Sequence, residues 1–219
     1  MGQTIKLKAA DGHALSAYQA EPAGKARGGI VVIQEIFGIT RHIRAVADEY
    51  AHAGFLAIAP ALFDRIGANI DVPYTDMAQG FAYMKKLKND DVMRDVEAAM
   101  LSVKAAGKVG SVGYCWGGTM SYLTAARLEP GAAIVYYGGG IGNYLSEKPR
   151  CPVMFHFGEK DAHIPQSVVA EVQKALPNAP VYVYPSDHGF NCTDRASYDA
   201  PSAKLALERS LEFFHKHIG

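Results

Sequence analysis

The stretch VGSVGYCWGG, residues 109–118, decides the fold because it joins a buried strand to a helix through a very short turn. Its first five residues are mostly apolar or small, which is typical of a strand covered on both faces. A helical pattern begins at Trp116, so Cys115 lies at the tip of the connection, with Gly113 and Gly117 two residues away on either side. A side chain at such a tip points into a cleft, and the glycines allow the strand and the helix to approach closely.

Outward from this turn, buried strands alternate with longer helical patterns along the whole chain. Strands are predicted at 29–34, 55–59, 109–113, 133–137, 153–157 and 181–184, and helices at 41–53, 76–87, 91–106, 116–128, 166–175 and 202–216. Two short strands, 4–8 and 14–20, precede them around a turn at Asp11-Gly12. The alternation predicts an α/β fold with a mostly parallel central sheet and helices on both faces. Ligands of such sheets bind at the carboxyl ends of the strands.

Length and composition indicate one packed globular unit. The 219 residues include 49% hydrophobic and 20% charged residues, and no repeat or linker divides them, so we expect a single domain over residues 1–219. The 22 Lys and Arg balance the 22 Asp and Glu, without a basic run, which argues against nucleic acid as a partner. Without a secretion signal or a long apolar stretch we expect a cytoplasmic protein that does not bind membranes, either a monomer or a weak homo-oligomer.

The three cysteines, at positions 115, 151 and 192, are expected to be free thiols. They form no CxxC pair and show no Cys/His ligand spacing, which argues against a disulfide framework and against a zinc site. We therefore expect neither a metal nor an organic cofactor.

Cys115 is the candidate nucleophile because its position at the start of a helix favours a thiolate. The positive end of the helix dipole stabilises negative charge there, and the N–H of Trp116 faces the same place as a donor to a developing oxyanion. The alternative is that Cys115 is a small buried hydrophobic residue and that the glycines serve packing alone.

A base and an acid follow the last two predicted strands. His188 lies in the loop after 181–184, and Asp161 lies in the loop after 153–157, so both side chains can reach the nucleophile turn. The order Cys115, Asp161, His188 is the nucleophile, acid and base order of α/β hydrolases. His163 is the competing base, and the rival acids are Glu159, Asp187 and Asp194. Of the remaining histidines, His156 is expected in the core, and His13, His42, His52, His215 and His217 are expected to face solvent.

Glu35 is an unusual acid because it directly follows the apolar run GIVVIQ, residues 29–34. The loop after this strand supplies the second N–H of the oxyanion hole in the fold, here that of Ile36. A carboxylate beside that N–H faces the cleft. The alternative for Glu35 is a capping or solvent-facing acid.

Taken together, QEIFG at 34–38, GYCWGG at 113–118, GEKD at 158–161 and DHGF at 187–190 resemble the dienelactone hydrolase family, also called carboxymethylenebutenolidases. The resemblance spans nearly the whole chain. It implies the α/β-hydrolase fold and the hydrolysis of an enol-lactone bearing a carboxylate, through a thioester and without a cofactor, in bacterial breakdown of aromatic compounds. The family's roles would fall on Cys115 as nucleophile, His188 as base, Asp161 as the acid that orients the histidine, and Glu35.

A charge argument agrees with the role that the resemblance implies for Glu35, which is to accept the proton of the Cys115 thiol. A resting Cys115 thiolate would share a confined site with two carboxylates and a single imidazolium, which favours keeping the proton on the thiol or sharing it with Glu35. The hypothesis is that substrate binding rearranges Glu35, which then accepts the thiol proton.

The match weakens where the family places two arginines that hold the substrate carboxylate. The family has one arginine four residues after the catalytic histidine, where this chain has Cys192, and Arg195 is the nearest arginine. The family's other arginine lies in the segment after about the fourth strand, and near the start of that segment only Arg65 is present. Bidentate arginine is the strongest anchor for a carboxylate, so the substrate class stays open. The candidates for substrate contacts are Phe37, Tyr83, Tyr137 and Arg195. The alternative functions are a broader carboxylesterase or thioesterase of the same fold and a non-catalytic thiol or binding protein.

Overall fold

The computed structural model describes residues 2–219 as an eight-stranded sheet with six α-helices. The strands are β1 (Gln3–Lys8), β2 (Ala14–Ala20), β3 (Gly29–Ile33), β4 (Leu56–Pro60), β5 (Val109–Tyr114), β6 (Ala132–Tyr136), β7 (Val153–Gly158) and β8 (Val181–Tyr184). The helices are α1 (Arg41–His52), α2 (Met77–Met84), α3 (Asn89–Val103), α4 (Trp116–Arg127), α5 (Gln166–Ala175) and α6 (Ala200–His217). Short 3-10 helices cover Leu62–Arg65, Lys104–Ala106 and Ile141–Tyr144.

The sheet is parallel except at one edge. Its strand order is β1-β2-β4-β3-β5-β6-β7-β8, and β2 pairs antiparallel with both β1 and β4. The six strands from β4 to β8 along this order are parallel to one another. This arrangement confirms the predicted α/β fold with a mostly parallel sheet. It also brings the carboxyl ends of β3, β5, β6, β7 and β8 to the same edge.

Helices cover both faces of the sheet, as the alternation of side chains along β3 shows. Ile30 and Val32 pack into a cluster with apolar residues of α1 and α6, whereas Val31 and Ile33 pack with α3 and α4 on the other face. All four side chains are fully buried. Burying an aliphatic side chain contributes roughly 1.5–3 kcal/mol, so an uninterrupted apolar run is the expected sequence of a strand in this position.

Helices α1, α2 and α6 each begin where a polar side chain accepts a hydrogen bond from a free N–H group. The Thr40 hydroxyl accepts from the N–H of Ile43 at the start of α1, and the Asp199 carboxylate accepts from the N–H of Ser202 at the start of α6. The 3-10 helices at Leu62–Arg65 and Ile141–Tyr144 were not predicted, because a single turn is too short to show a helical period. Within residues 2–219, no helix has both the length and the apolarity needed to cross a bilayer.

Candidate active site

The turn at Cys115 has a backbone geometry that only its flanking glycines permit. Cys115 has φ 54° and ψ −122°, a conformation that non-glycine residues rarely adopt. A Cβ on Gly113 would lie 1.8 Å from the carbonyl oxygen of Gly117, and a Cβ on Gly117 would lie 2.3 Å from that of Gln34. Both contacts are far inside van der Waals range, so the strand and helix meet this closely only with glycine at both positions. Only 7% of Cys115 is exposed.

The same close approach places the loop after β3 beside the start of α4. Ile33 pairs with Gly113 across the two strands, so β3 and β5 end at the same level. The side chain of Gln34 fixes the loop, since its Oε1 accepts from the N–H of Leu62 at 3.1 Å and its Nε2 donates to the carbonyl of Glu35 at 3.3 Å.

Two N–H groups near this loop are available to an oxyanion. Trp116 is the first residue of α4, so its N–H has no partner within the helix. The N–H of Ile36 makes no backbone hydrogen bond within residues 2–219. Their segments pack together at the nucleophile turn, which is the arrangement expected of an oxyanion hole.

His188 and Asp161 form a buried hydrogen-bonded pair. Nδ1 of His188 lies 2.7 Å from Oδ2 of Asp161, and the exposed side-chain fractions are 5% and 0%. The other carboxylate oxygen, Oδ1, accepts from the N–H of His163 at 2.8 Å and from the N–H of Ile164 at 3.2 Å. These two backbone donors fix the carboxylate, which in turn fixes the imidazole.

The electrostatic surroundings of His188 favour its protonated form. Burial by itself lowers the pKa of His188, but the charge of Cys115 and the hydrogen bond that His188 donates to Asp161 outweigh burial and raise the pKa to about 10. The ring is therefore an imidazolium at neutral pH whenever Cys115 is a thiolate.

The rival residues take other positions. The ring of His163 lies edge-on to that of His188 at 5.1 Å, and the contact of His163 with Asp161 runs through its backbone N–H. Asp187 accepts from the backbone N–H of His188 at 2.6 Å, and Asp194 pairs with Arg41. The structure thus brings the ring of His188 to Asp161 rather than to these neighbours.

Glu35 is fully buried and paired with Arg195. Its Oε1 lies 3.4 Å from Nη1 of Arg195, whereas its Oε2 has no hydrogen-bond partner within residues 2–219. Arg195 packs against Gly189, where a Cβ would lie 2.6 Å from Nη1, and its guanidinium lies 5.9 Å from the centroid of Phe37. Although burial opposes the charged form, the Glu35 carboxylate raises the pKa of Arg195. The site therefore contains a second basic side chain beside His188, and Arg195 is paired with the buried Glu35.

The other candidates for substrate contacts differ in position. Tyr137 is buried with φ 36°, its ring lies 5.1 Å from that of His188, and its hydroxyl has no partner among the described residues. Phe37 is fully buried, and its ring lies 4.6 Å from that of Tyr74 and near the guanidinium of Arg195. Tyr83 packs against Phe63 at 5.7 Å.

Arg65 is held away from substrate contacts by a structural ion pair. Its Nε and Nη2 donate to the two carboxylate oxygens of Asp95, each at 2.7 Å, and its Nη1 donates to Asp11 at 2.9 Å. Each of the three guanidinium nitrogens thereby donates to a carboxylate.

His42 and Cys192 also lie beside Glu35, and the prediction for His42 was wrong. His42 was expected to face solvent, but only 3% of it is exposed. Potential ligand atoms of Glu35, His42 and Cys192 lie within 4.8 Å of one another. Burial and the charge of Glu35 raise the pKa of the Cys192 thiol to about 11. The burial of His42 could have been predicted from its spacing, because it lies four residues before Val46, on the apolar face of α1.

Comparisons with known proteins agree with this architecture over nearly the whole chain. A sequence profile of the dienelactone hydrolase family matches residues 15–218. The chain is 32% identical to a carboxymethylenebutenolidase from Pseudomonas putida over 222 residues, which cover 95% of this chain and 94% of that protein. A Klebsiella pneumoniae structure, assigned provisionally as a dienelactone hydrolase, has a TM-score of 0.84 at 31% identity and covers 98% of this chain and 100% of the other.

A more distant structure, a dienelactone hydrolase-like promiscuous phosphotriesterase from metagenomic libraries, shares the fold alone. Its TM-score is 0.79 at 19% identity, with 100% of this chain and 99% of the other covered. These similarities confirm the predicted α/β-hydrolase fold.

Proposed function

The chain belongs to the dienelactone hydrolase family and is an ester or lactone hydrolase, and we propose that it opens an enol-lactone through a thioester on Cys115. The observation that carries the proposal is the meeting of residues from four strand ends: the strained turn of Cys115, the His188–Asp161 pair and the buried Glu35. Each group has the position that one step of acyl transfer needs.

The first step is the release of Glu35 from Arg195. At 3.4 Å, the contact between Glu35 and Arg195 is longer than an ideal charge-assisted hydrogen bond of about 2.7–2.9 Å, so a substrate carboxylate can replace Glu35 as the partner of Arg195. The displaced Glu35 carboxylate then accepts the proton of the Cys115 thiol. The thiolate so formed faces the His188 imidazolium, whose charge stabilises it.

The second step is attack on the lactone carbonyl. A C–S bond forms from the Cys115 thiolate, and the carbonyl π electrons move to the oxygen, which the N–H groups of Ile36 and Trp116 bind. The oxyanion then collapses to a thioester and the ring C–O bond breaks. The leaving enolate oxygen takes a proton from His188, which becomes neutral.

Hydrolysis of the thioester completes the cycle. Neutral His188 removes a proton from water, and the hydroxide attacks the thioester carbonyl. The tetrahedral intermediate collapses to the acid product with Cys115 thiolate as leaving group, and Glu35 returns the proton to that sulfur. Asp161 holds the ring orientation and the Nδ1 proton throughout.

One observation favours a second candidate, a broader carboxylesterase or thioesterase. Arg195 is the single arginine beside Glu35, because Arg65 is committed to Asp95. A site with one cationic anchor also accepts substrates without a carboxylate, and these would rely on apolar contacts.

The test is turnover of a dienelactone and of p-nitrophenyl acetate by the wild type, Cys115→Ala and Cys151→Ala. We expect Cys115→Ala to lose both activities and Cys151→Ala, whose thiol lies outside the site, to retain them. Dienelactone turnover that persists in Cys115→Ala contradicts the thioester mechanism. Arg195→Met separates the two substrates: it should raise KM for the dienelactone and leave that for the neutral ester almost unchanged, whereas equal effects favour the broader esterase.

A further inference from the structure

Three side chains from distant parts of the chain form a cluster of metal-ligand type beside the active site. Glu35 follows β3, His42 lies in the first turn of α1, and Cys192 lies in the loop after β8. One oxygen, one nitrogen and one sulfur from these residues lie within 4.8 Å of one another. The exposed fractions are 0% for Glu35, 3% for His42 and 0% for Cys192.

Two of the three residues each have a buried polar atom without a hydrogen-bond partner within residues 2–219: Oε2 of Glu35 and Nε2 of His42. Leaving a buried polar atom unsatisfied costs about 1–3 kcal/mol, so two such atoms in one cluster favour the binding of a ligand there. Arg195 occupies the other oxygen, Oε1, and leaves Oε2 free for a ligand.

We propose that Glu35, His42 and Cys192 form a binding site for a divalent ion of the zinc type, and that the ion reversibly shuts the active site. Carboxylate, imidazole and thiolate are the three ligand types that zinc prefers. Ligands of a tetrahedral zinc lie about 3.3–3.8 Å apart at bond lengths of about 2.0–2.3 Å, so atoms that lie within 4.8 Å of one another need to close by at most about 1.5 Å. Water takes the fourth position.

Charge balance also suits a divalent cation. The thiol of Cys192 loses its proton to solvent as the Zn–S bond forms, and the resulting thiolate and the Glu35 carboxylate together neutralise two positive charges. His42 binds as the neutral imidazole, since burial lowers its pKa. The spacing of cysteines and histidines along the chain predicts no zinc site, because such spacing carries no information about three residues so far apart in sequence.

The ion has a route to the cluster. A surface cleft beside α1 is lined by His42 and by Asn191 and Thr193, the two neighbours of Cys192 in the chain. His42, one of the three proposed ligands, therefore lies at an opening in the surface.

The inhibitory effect rests on the proposed function, whereas metal binding does not. An ion that holds Glu35 keeps this carboxylate from accepting the Cys115 thiol proton, so acylation stops while the ion is bound. Removal of the ion by a chelator restores the reaction, because no covalent bond to carbon has formed.

The test compares binding of Zn²⁺, and of Co²⁺ as a spectroscopic probe, by the wild type, Cys192→Ser, His42→Phe, Cys115→Ala and Cys151→Ala. We expect calorimetry to show one site in the wild type, Cys115→Ala and Cys151→Ala. Removing a ligand in Cys192→Ser or His42→Phe should weaken binding at least about tenfold. The cobalt–thiolate absorption band should vanish in Cys192→Ser, and circular dichroism checks that each variant is folded.

Two results overturn the proposal. One is the absence of saturable binding by the wild type at micromolar zinc. The other is binding that persists in Cys192→Ser and is lost in Cys115→Ala, which assigns the ion to the nucleophile. The inhibition is measured separately, as the ratio of the rates at which iodoacetate, whose carboxylate can displace Glu35 from Arg195, alkylates Cys115 with and without zinc. This ratio should fall in the wild type and stay near one in Cys192→Ser, and it does not depend on identifying the substrate.

Discussion

Replacing Asp161 with asparagine tests the pairing of the acid with His188 at the level of a single proton. In the wild type, Oδ1 of Asp161 accepts from two backbone N–H groups, and Oδ2 faces Nδ1 of His188 at 2.7 Å. In the Asp161→Asn variant, the same backbone donors will select the carbonyl oxygen of the new side chain, so its NH₂ group will face Nδ1. An NH₂ group cannot accept a proton, and His188 must then present a lone pair at Nδ1.

The magnitude follows from two losses. The buried charge-assisted hydrogen bond contributes about 1.5–3 kcal/mol, which corresponds to a factor of roughly 10–150 in rate. The reversed tautomer places the proton on Nε2, where neutral His188 needs a lone pair to act as a base. The same change in a serine triad lowers kcat by about 10⁴, so we expect a loss of about 10³ or more in kcat/KM. The pKa of His188 should fall as well, because Asp161 is one of the groups that raise it.

The assay is kcat/KM for the preferred lactone or ester, with NMR of the imidazole nitrogens to identify the tautomer and the pKa. Asp187→Asn is the matched control, because Asp187 binds the backbone N–H of His188 and not its ring. It should stay within about threefold of the wild type. An Asp161→Asn variant as active as this control would refute the reasoning.

Three further predictions concern the proton acceptor, the turn and the dependence on pH. Glu35→Gln should slow turnover, and alkylation of the nucleophile by iodoacetate, whose carboxylate can displace Glu35 from Arg195, by similar factors of about tenfold or more; unchanged rates contradict its role as proton acceptor. Gly117→Ala should lower the free energy of unfolding in urea by about 1–3 kcal/mol or more, since its Cβ would meet the carbonyl of Gln34 at 2.3 Å, whereas Gly139→Ala enters open space and should be neutral. Against the effect of burial, the hydrogen bond to Asp161 raises the pKa of His188 above its usual 6.5, which stabilises the fold fully below pH 6.5 and progressively less above it, so the difference in Tm between wild type and His188→Gln should narrow as the pH rises from 6.5.

Much of the site could be predicted from the sequence because strand ends are visible in it. Continuous apolar runs mark buried parallel strands, and the carboxyl ends of such strands meet at one edge. Cys115, Asp161 and His188 each follow such a run, so their proximity needed no knowledge of side-chain packing.

The partners of Glu35 were harder to predict because they depend on loop and helix packing. Arg195 lies in an irregular loop whose path is fixed by its contact with Gly189, and no periodic pattern reports such a contact. His42 follows the exposed Arg41, and its burial depends on the segment after β8 packing over α1. The sequence could reveal the apolar face of α1, but not which loop covers the end of that face.

The central claim, a covalent thioester on Cys115, is tested most directly by mass spectrometry of the protein quenched in acid during turnover. We predict a mass increase equal to the acyl group of the substrate, located on the peptide that contains Cys115, sensitive to hydroxylamine and absent in Cys115→Ala. An unmodified Cys115 peptide throughout the pre-steady state, under conditions in which deacylation has been slowed by low pH, would contradict it.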